Sequence, residues 1–476
     1  SRLWWLKHCW PEVARLRRAF IAQAMSRCCH AITGSDTSDD SDDGHSNTFE
    51  EDSAGESDDG EGKTLRPLDP AVDREQPPVR AMMLPMLCVF QGYACMVGPA
   101  QQKFKAELGI GQTGELAATF TQAAVFVHYG KLVARLGHDV VLGCMSPMKR
   151  VYLSMTLIFI GTVIPPLFVF NLHCHWIGTV FISYGLSGIG LGVFECTFLN
   201  VITPLGKLTK AWAIMGIPMG FGVVNILGLL CTSAGMPVSL LYWYIVSLVP
   251  IGMWVLKRYG PGALNEPAGT AIFRPPSASE EQRNLGTALR DCKVWLPLMI
   301  PHILAKVAVN FVMENATPVN YYTYNAGEVP LWGPNQSNPL LAHDVYFAIL
   351  GIFVLLGDTL SRRVTASLET TSHLSNSLLL LAAVLCSAVG FYLESMARAF
   401  LAWFGIFFAF WGNGMVYGAS AKFIDNSIPK QYNLAAYSTW CFMGDLGGIF
   451  GGVTVDIVRN WICGGRSFTY ECLTHN

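Results

Sequence analysis

VYFAILGIFVLLGDTLSRR, residues 345–363, reads as an apolar helix that carries an acid, Asp358, and a base, Arg362, one helical turn apart. A separation of four residues puts both side chains on the same helix face. Either group is expensive against lipid, so the face they share has to look into a protein interior or a wet cavity. An apolar helix with a paired acid and base near its end points to a solute pathway, whose other walls must come from the rest of the chain.

The 476 residues are 51% hydrophobic and only 14% charged, where soluble chains carry about a quarter charged residues. Mean hydropathy is +0.36. Both values indicate a membrane protein. The net charge of −2 averages two unlike parts, because residues 35–62 hold twelve Asp/Glu and no Lys or Arg. That low-complexity segment is nearly free of bulky apolar residues and is expected to be disordered and solvating. Its serines beside acidic clusters resemble acid-directed kinase sites, so kinases are a candidate partner class. Residues 1–30 are basic and aromatic and read as an amphipathic interfacial helix.

From Ala81 onward, apolar runs of spanning length follow one another. They fall at about 81–99, 114–134, 150–170, 176–203, 210–231 and 237–256, then 294–314, 344–361, 376–394, 398–418 and 433–456. The fold class is therefore an all-α polytopic membrane protein with about eleven transmembrane helices in a six-plus-five arrangement. Residues 1–80 form a cytosolic N-terminal region and 81–256 the first bundle. Residues 257–293 make a cytosolic loop, 294–456 the second bundle and 457–476 an extracytosolic tail. Alternate loops set the orientation. One set holds sixteen Lys and Arg, Lys131, Arg135, Lys210 and Arg362 among them, against three in the opposite set. This positive-inside bias places the N-terminus in the cytosol. The loop 315–343 then lies outside and carries sequons at Asn315 and Asn335. GxxxG pairs such as Gly188/Gly192, Gly216/Gly220 and Gly444/Gly448 suit close helix packing.

Enzyme motifs are missing: the chain shows no Walker-type loop, HExxH or GxSxG and no evident ATP-binding domain. Neither an enzyme nor a primary pump is expected, and no nucleic-acid partner is indicated. None of the 14 Cys pairs has metal-ligand spacing with His, so they read as small buried hydrophobes, and neither metal nor cofactor is expected. Cys463 and Cys472 are a candidate pair in an extracytosolic tail. Among polar residues inside the spans, Glu195 is a lone embedded carboxylate, suited to binding solute or carrying a proton. His302, Lys306, Asn310 and Glu314 recur every four residues, a polar stripe able to line a wet path. Asn413 is a plausible interhelical donor, and His128 reads as a satisfied core histidine or a pathway residue.

Several motifs are similar to those of equilibrative nucleoside transporters. MSPMKRVYLSMTLIFIGTVIPP (145–166) resembles the junction of their second and third helices, and LLGDTLSRR fits their eighth-helix DxxxR signature. FFAFWGNGMVYGASAKF (407–423) and CFMGDLGGIFGG (441–452) resemble their tenth and eleventh helices. The resemblance implies a major-facilitator-like bundle in which Asp358 and Arg362 contact a ribose. It also puts Glu195 where that family has a nucleobase-binding glutamine, a departure that favours a proton-coupled or cationic solute. The aromatic residue of the first helix is missing as well. GKLVARLG (130–137) fits a loop frame of general major facilitators except at Ala134. A receptor or scaffold of transporter shape is a third reading, disfavoured by the costly intramembrane charge. The combined expectation is a carrier in the lipid bilayer moving a nucleoside- or nucleobase-like small-molecule solute by alternating access, facilitative or proton-coupled. Asp358, Arg362 and Glu195 would bind the solute, with Lys306, Asn310, His302, Asn413 and His128 lining its path.

Overall fold

The structure, a computed structural model, describes residues 79–97, 100–110, 115–142, 145–261, 291–319, 328–332, 339–368, 372–396 and 398–463. The basic N-terminal stretch, the acidic serine-rich tail, the Asn335 sequon and Cys472 lie outside the described residues, as does most of the 257–293 loop. All described residues fall within one compact unit, Pro77–Asn476.

Among the described residues, eleven long helices make up this unit, one for each apolar run in the sequence. We label them α1 (Arg80–Val97), α2 (Glu115–Val141), α3 (Pro147–Asn171), α4 (Gly178–Leu205), α5 (Lys207–Ser233) and α6 (Val238–Tyr259). The second group is α7 (Cys292–Val319), α8 (His343–Ser367), α9 (His373–Ser395), α10 (Ala399–Ser427) and α11 (Asn433–Cys463). Nine of these described helices are long and apolar enough to cross a membrane. The other two, α2 and α11, are more polar because they bring Lys131, Arg135 and Asp445 into the bundle. A short helix, Ala100–Glu107, follows α1. The connection before α8 contributes a small antiparallel ladder, β1 (Glu328–Pro330) with β2 (Leu340–Ala342), which the apolar periodicity does not signal.

Boundaries differ from expectation where polar residues ride on buried faces. Helix α2 runs seven residues past 134, so Lys131 and Arg135 are buried helix residues and not loop residues. Arg362 and Lys210 are likewise buried within α8 and α5, which removes four cations from the sixteen used to orient the chain. Asn315 is also corrected. It lies inside α7, 1% exposed, with its amide donating to the Phe311 carbonyl and Thr454 Oγ1, and a buried amide cannot serve as a glycosylation acceptor.

The helices pack as a repeated set of pairs. In the first group α2 and α3 lie against α4, and α1 against α5. In the second, α8 and α9 lie against α10, and α7 against α11. Between the groups α2 crosses α11 while α5 crosses α8, the same contact with the halves exchanged. Shifting each helix of the first group by six positions therefore reproduces the second, with α6 left over. Outward faces are apolar, as in Leu374, Leu378, Leu381 and Leu385 of α9, in keeping with a lipid-facing surface.

Small residues set the spacing. A side chain at Gly188 would collide with the Val127 backbone, so α2 and α4 meet there only because glycine has no Cβ. Gly414 does the same beneath Asp358, where a Cβ would fall 2.6 Å from the Asp358 carbonyl oxygen. Gly452 faces open space. Gly188→Val is expected to push the helices apart and lower the thermal midpoint of the purified protein by several degrees, whereas Gly452→Ala leaves it near wild type. Equal midpoints in nanoscale fluorimetry would count against this packing.

Candidate functional site

Charged side chains that would be costly in lipid meet at the interface between the two helix groups. Arg135 of α2 is the hub of one cluster. It donates to Glu195 Oε2 on α4 at 2.5 Å, and its Nε lies 2.6 Å from Asp445 Oδ2 on α11. A third contact runs from Nη1 to Cys196 Sγ at 3.5 Å. Lys131, one turn earlier on α2, pairs with Asp445 Oδ1 at 2.8 Å and packs over the Tyr93 ring of α1. Two cations and two carboxylates are thus held together in a chain that crosses from the first helix group to the second. Each pairing offsets a desolvation cost of several kcal/mol per ion.

The second cluster sits on α8 and α10. Arg362 grips Asp358 with both prongs, Nη2 to Oδ2 at 2.8 Å and Nε to Oδ1 at 3.0 Å, the bidentate geometry that four-residue spacing allows. Its remaining nitrogen reaches across to the Ile214 carbonyl of α5 at 3.4 Å. Asn413 donates to Asp358 Oδ1 at 3.2 Å and accepts from Lys306 Nζ at 3.2 Å, which ties α7, α8 and α10 together. Tyr417, one turn on from Asn413, joins the two clusters by donating to Glu195 Oε1 at 3.0 Å. Its ring lies under Arg362 at 4.3 Å and near Lys306 at 5.3 Å.

The residues singled out from sequence separate into two groups. Asp358, Arg362, Glu195, Lys306 and Asn413 come together in this connected network. Glu195 is not the lone carboxylate expected from its sequence surroundings. Its partner Arg135 lies 60 residues earlier, and the Tyr417 hydroxyl caps its second oxygen. The embedded carboxylate without a hydrogen-bond or ion-pair partner among the described residues is Glu314, which lies against Gly448 and Gly451 of α11. Asn310 donates to the Gly444 carbonyl at 2.8 Å and holds α7 to α11. His302 has both ring nitrogens occupied, by Ser420 and by Asn376, each at 2.9 Å, and stacks on Phe423. That makes it a packing strut within the second helix group. His128 faces the Tyr93 ring at 6.4 Å, beside Lys131.

Sequence reasoning misses Arg135, Lys131, Asp445 and Tyr417 as members of the site. The clue for Arg135 and Lys131 is the G-x-L-x-x-R-x-G frame at 130–137, which marks the residues but not their burial. Asp445 is flanked by glycines in CFMGDLGGIFGG, where helix packing is the more evident reading.

Polar latches close the interface at both ends. At one end Lys210 of α5 pairs with Asp425 of α10 at 2.7 Å, beneath the Tyr437 ring of α11 at 4.5 Å. At the other, Asp344 at the start of α8 accepts from Lys103 at 2.9 Å and from Ser233 at the end of α5.

No protein-family model matches the sequence, and a search of curated proteins by sequence returns no match. Solved structures do match. The human organic anion transporter MFSD10 (TETRAN) aligns at TM-score 0.56 and 14% identity, over 84% of this chain and 97% of its own. A variant of the Escherichia coli fucose:proton symporter FucP aligns at 0.55 and 12%, over 81% and 92%. The proton:xylose symporter XylE of the major facilitator superfamily aligns at 0.56 and 12%, over 81% and 89%. At these identities the likeness concerns architecture. Together with the apolar spans and the repeated packing, it establishes this chain as an integral membrane protein with the major-facilitator fold.

Proposed function

We propose that this chain is a solute carrier that works by alternating access, its two helix groups rocking about the buried network of Asp358, Arg362, Asn413, Lys306, Tyr417 and Glu195. The observation that supports this most is the placement of that network. Its charges are contributed by both groups and meet at the surface where the groups must part. A protein with only a structural role has no reason to maintain them, since each charged residue costs about 2.5–3.5 kcal/mol at the centre of a membrane helix. The latches at either end fit the same cycle, because Lys210–Asp425 and Lys103–Asp344 would break in turn as each end opens. The fold itself does not choose the solute, as its neighbours are described as moving fucose, xylose and organic anions.

For the solute we favour a nucleoside- or nucleobase-like molecule, on the strength of the DxxxR and Asn-Gly motifs that meet at Asp358, Arg362, Asn413 and Gly414. Asp358 would accept from sugar hydroxyls and Arg362 would donate to them, the pair loosening its internal bidentate contact as the solute enters. Glu314, embedded and without a partner among the described residues, supports proton coupling better than Glu195 does. The second reading is a major facilitator of another small organic solute, favoured by the paired state of Glu195 and by the missing first-helix aromatic residue.

Three tests follow from this site. Uptake of labelled adenosine and uridine, at mildly acidic and neutral pH, is expected to be saturable and to disappear in the Asp358→Asn/Arg362→Gln double variant. That variant keeps the pair neutral, so the protein should still reach the membrane. Wild-type-like uptake in the double variant would remove the site assignment, while no nucleoside uptake by surface-resident protein would favour the second reading. Arg135→Met takes away the ion-pair partner of Glu195 and leaves Asp445 to Lys131 alone, and is expected to cost about 3–5 kcal/mol of stability, read as a large drop in thermal midpoint. Asp425→Ala should release the end held by Lys210 and raise modification of buried Cys441 by a water-soluble maleimide, measured by peptide mass spectrometry. Unchanged labelling would mean that this ion pair does not latch the bundle.

A further inference from the structure

Among the described residues, four of the five buried cations at the interface have a carboxylate within ion-pair distance: Lys131, Arg135, Lys210 and Arg362. Lys306 does not. It is 8% exposed, and its ammonium meets one amide oxygen, Asn413 Oδ1 at 3.2 Å, and two aromatic rings, Tyr417 and Trp440, each at 5.3 Å. Nearby carboxylates are already committed, Glu195 to Arg135 and Tyr417, and Asp358 to Arg362 and Asn413. Glu314 lies on the same helix but two turns on, about 12 Å along the axis, against the α11 glycines. Rings and one neutral oxygen give a desolvated ammonium only part of what a counter-ion supplies.

Two further observations converge on the same spot. The Tyr417 ring that Lys306 approaches also carries Arg362 at 4.3 Å, so two cations face one aromatic side chain. Trp440, which stands edge-on to Tyr417 at 5.1 Å, has a fully buried indole N–H with no hydrogen-bond partner among the described residues. An unsatisfied donor beside an uncompensated cation is a combination that an anion's oxygens would complete.

We infer that Lys306, with the Trp440 N–H beside it, is the anion-binding part of the central site, and that the solute is a small hydroxylated molecule carrying a carboxylate or phosphate group. This inference rests on the carrier reading of the same network and adds a charge to the solute. The anion replaces the missing counter-ion at Lys306, and the hydroxylated portion extends past Asn413 toward Asp358 and Arg362. An ammonium at a point-charge site suits either anion, whereas the bidentate fork of Arg362 is already occupied.

The test is differential scanning fluorimetry of the purified full chain with matched neutral and anionic probes. The pairs are uridine with uridine monophosphate, glucose with glucose 6-phosphate, and glucose with glucuronate. At least one anionic probe is expected to raise the midpoint where its neutral partner does not, and the rise should vanish in Lys306→Met. The two phosphates against the carboxylate decide which anion is preferred. If no anionic probe shifts the midpoint more than its neutral partner, the inference is overturned, while transport of a neutral nucleoside would leave the carrier reading intact. A second measurement needs no ligand. Removing an uncompensated cation relieves a cost, so Lys306→Met is expected to raise the midpoint of the ligand-free protein. A fall comparable to that of Asn413→Ala would show a structural lysine and overturn the inference by itself.

Discussion

An unpaired charge in a membrane-embedded bundle costs more than almost any packing contact returns, and the arrangement of these helices follows from that constraint. Arg135 can remain on α2 only if α4 brings Glu195 and α11 brings Asp445 against it. Asp358 can remain on α8 because Arg362 lies one turn away and Asn413 of α10 adds a second donor to Oδ1. Each requirement names a neighbouring helix, and together the requirements state which helices must touch.

Glycine makes these contacts geometrically available. Gly414 lets α10 approach the backbone of α8 at Asp358, and Gly188 lets α4 settle on α2 one turn from the Lys131–Arg135 face. The two halves of the chain solve the same problem with different residues. α2 carries Lys131 and Arg135 four apart, and α8, its counterpart in the repeat, carries Asp358 and Arg362 four apart. The acid that answers α2 comes from other helices, whereas α8 supplies its own. One half is therefore tied to its neighbours through charge and the other is internally neutral, an asymmetry that leaves Lys306 near the same Tyr417 ring as Arg362 but without an acid of its own.

Hydropathy marks nine of the described helices outright, because a membrane span needs about twenty apolar residues whatever its neighbours do, whereas α2 and α11 are diluted by their inward polar residues. Their ends are less visible. The expected span at 398–418 continues to Ser427 and that at 114–134 to Val141, since polar residues on an inward face lower the hydropathy without ending the helix. The Asp358–Arg362 pair is legible for a local reason, as four-residue spacing on a helix forces the two side chains onto one face.

The pairings made across the fold are not legible. Glu195 looks solitary because its partner lies 60 residues away in a stretch that resembles a basic loop, and Asp445 is hidden among glycines. Asn315 matches a glycosylation motif that its burial in α7 rules out. The sequence by itself determined an all-helical bundle of membrane-spanning length and the shared face of Asp358 and Arg362, since those depend on period and length within a single segment. Only the tertiary structure decided which charges neutralise one another and which cation is left over, because charge compensation depends on distances between segments that no local pattern encodes.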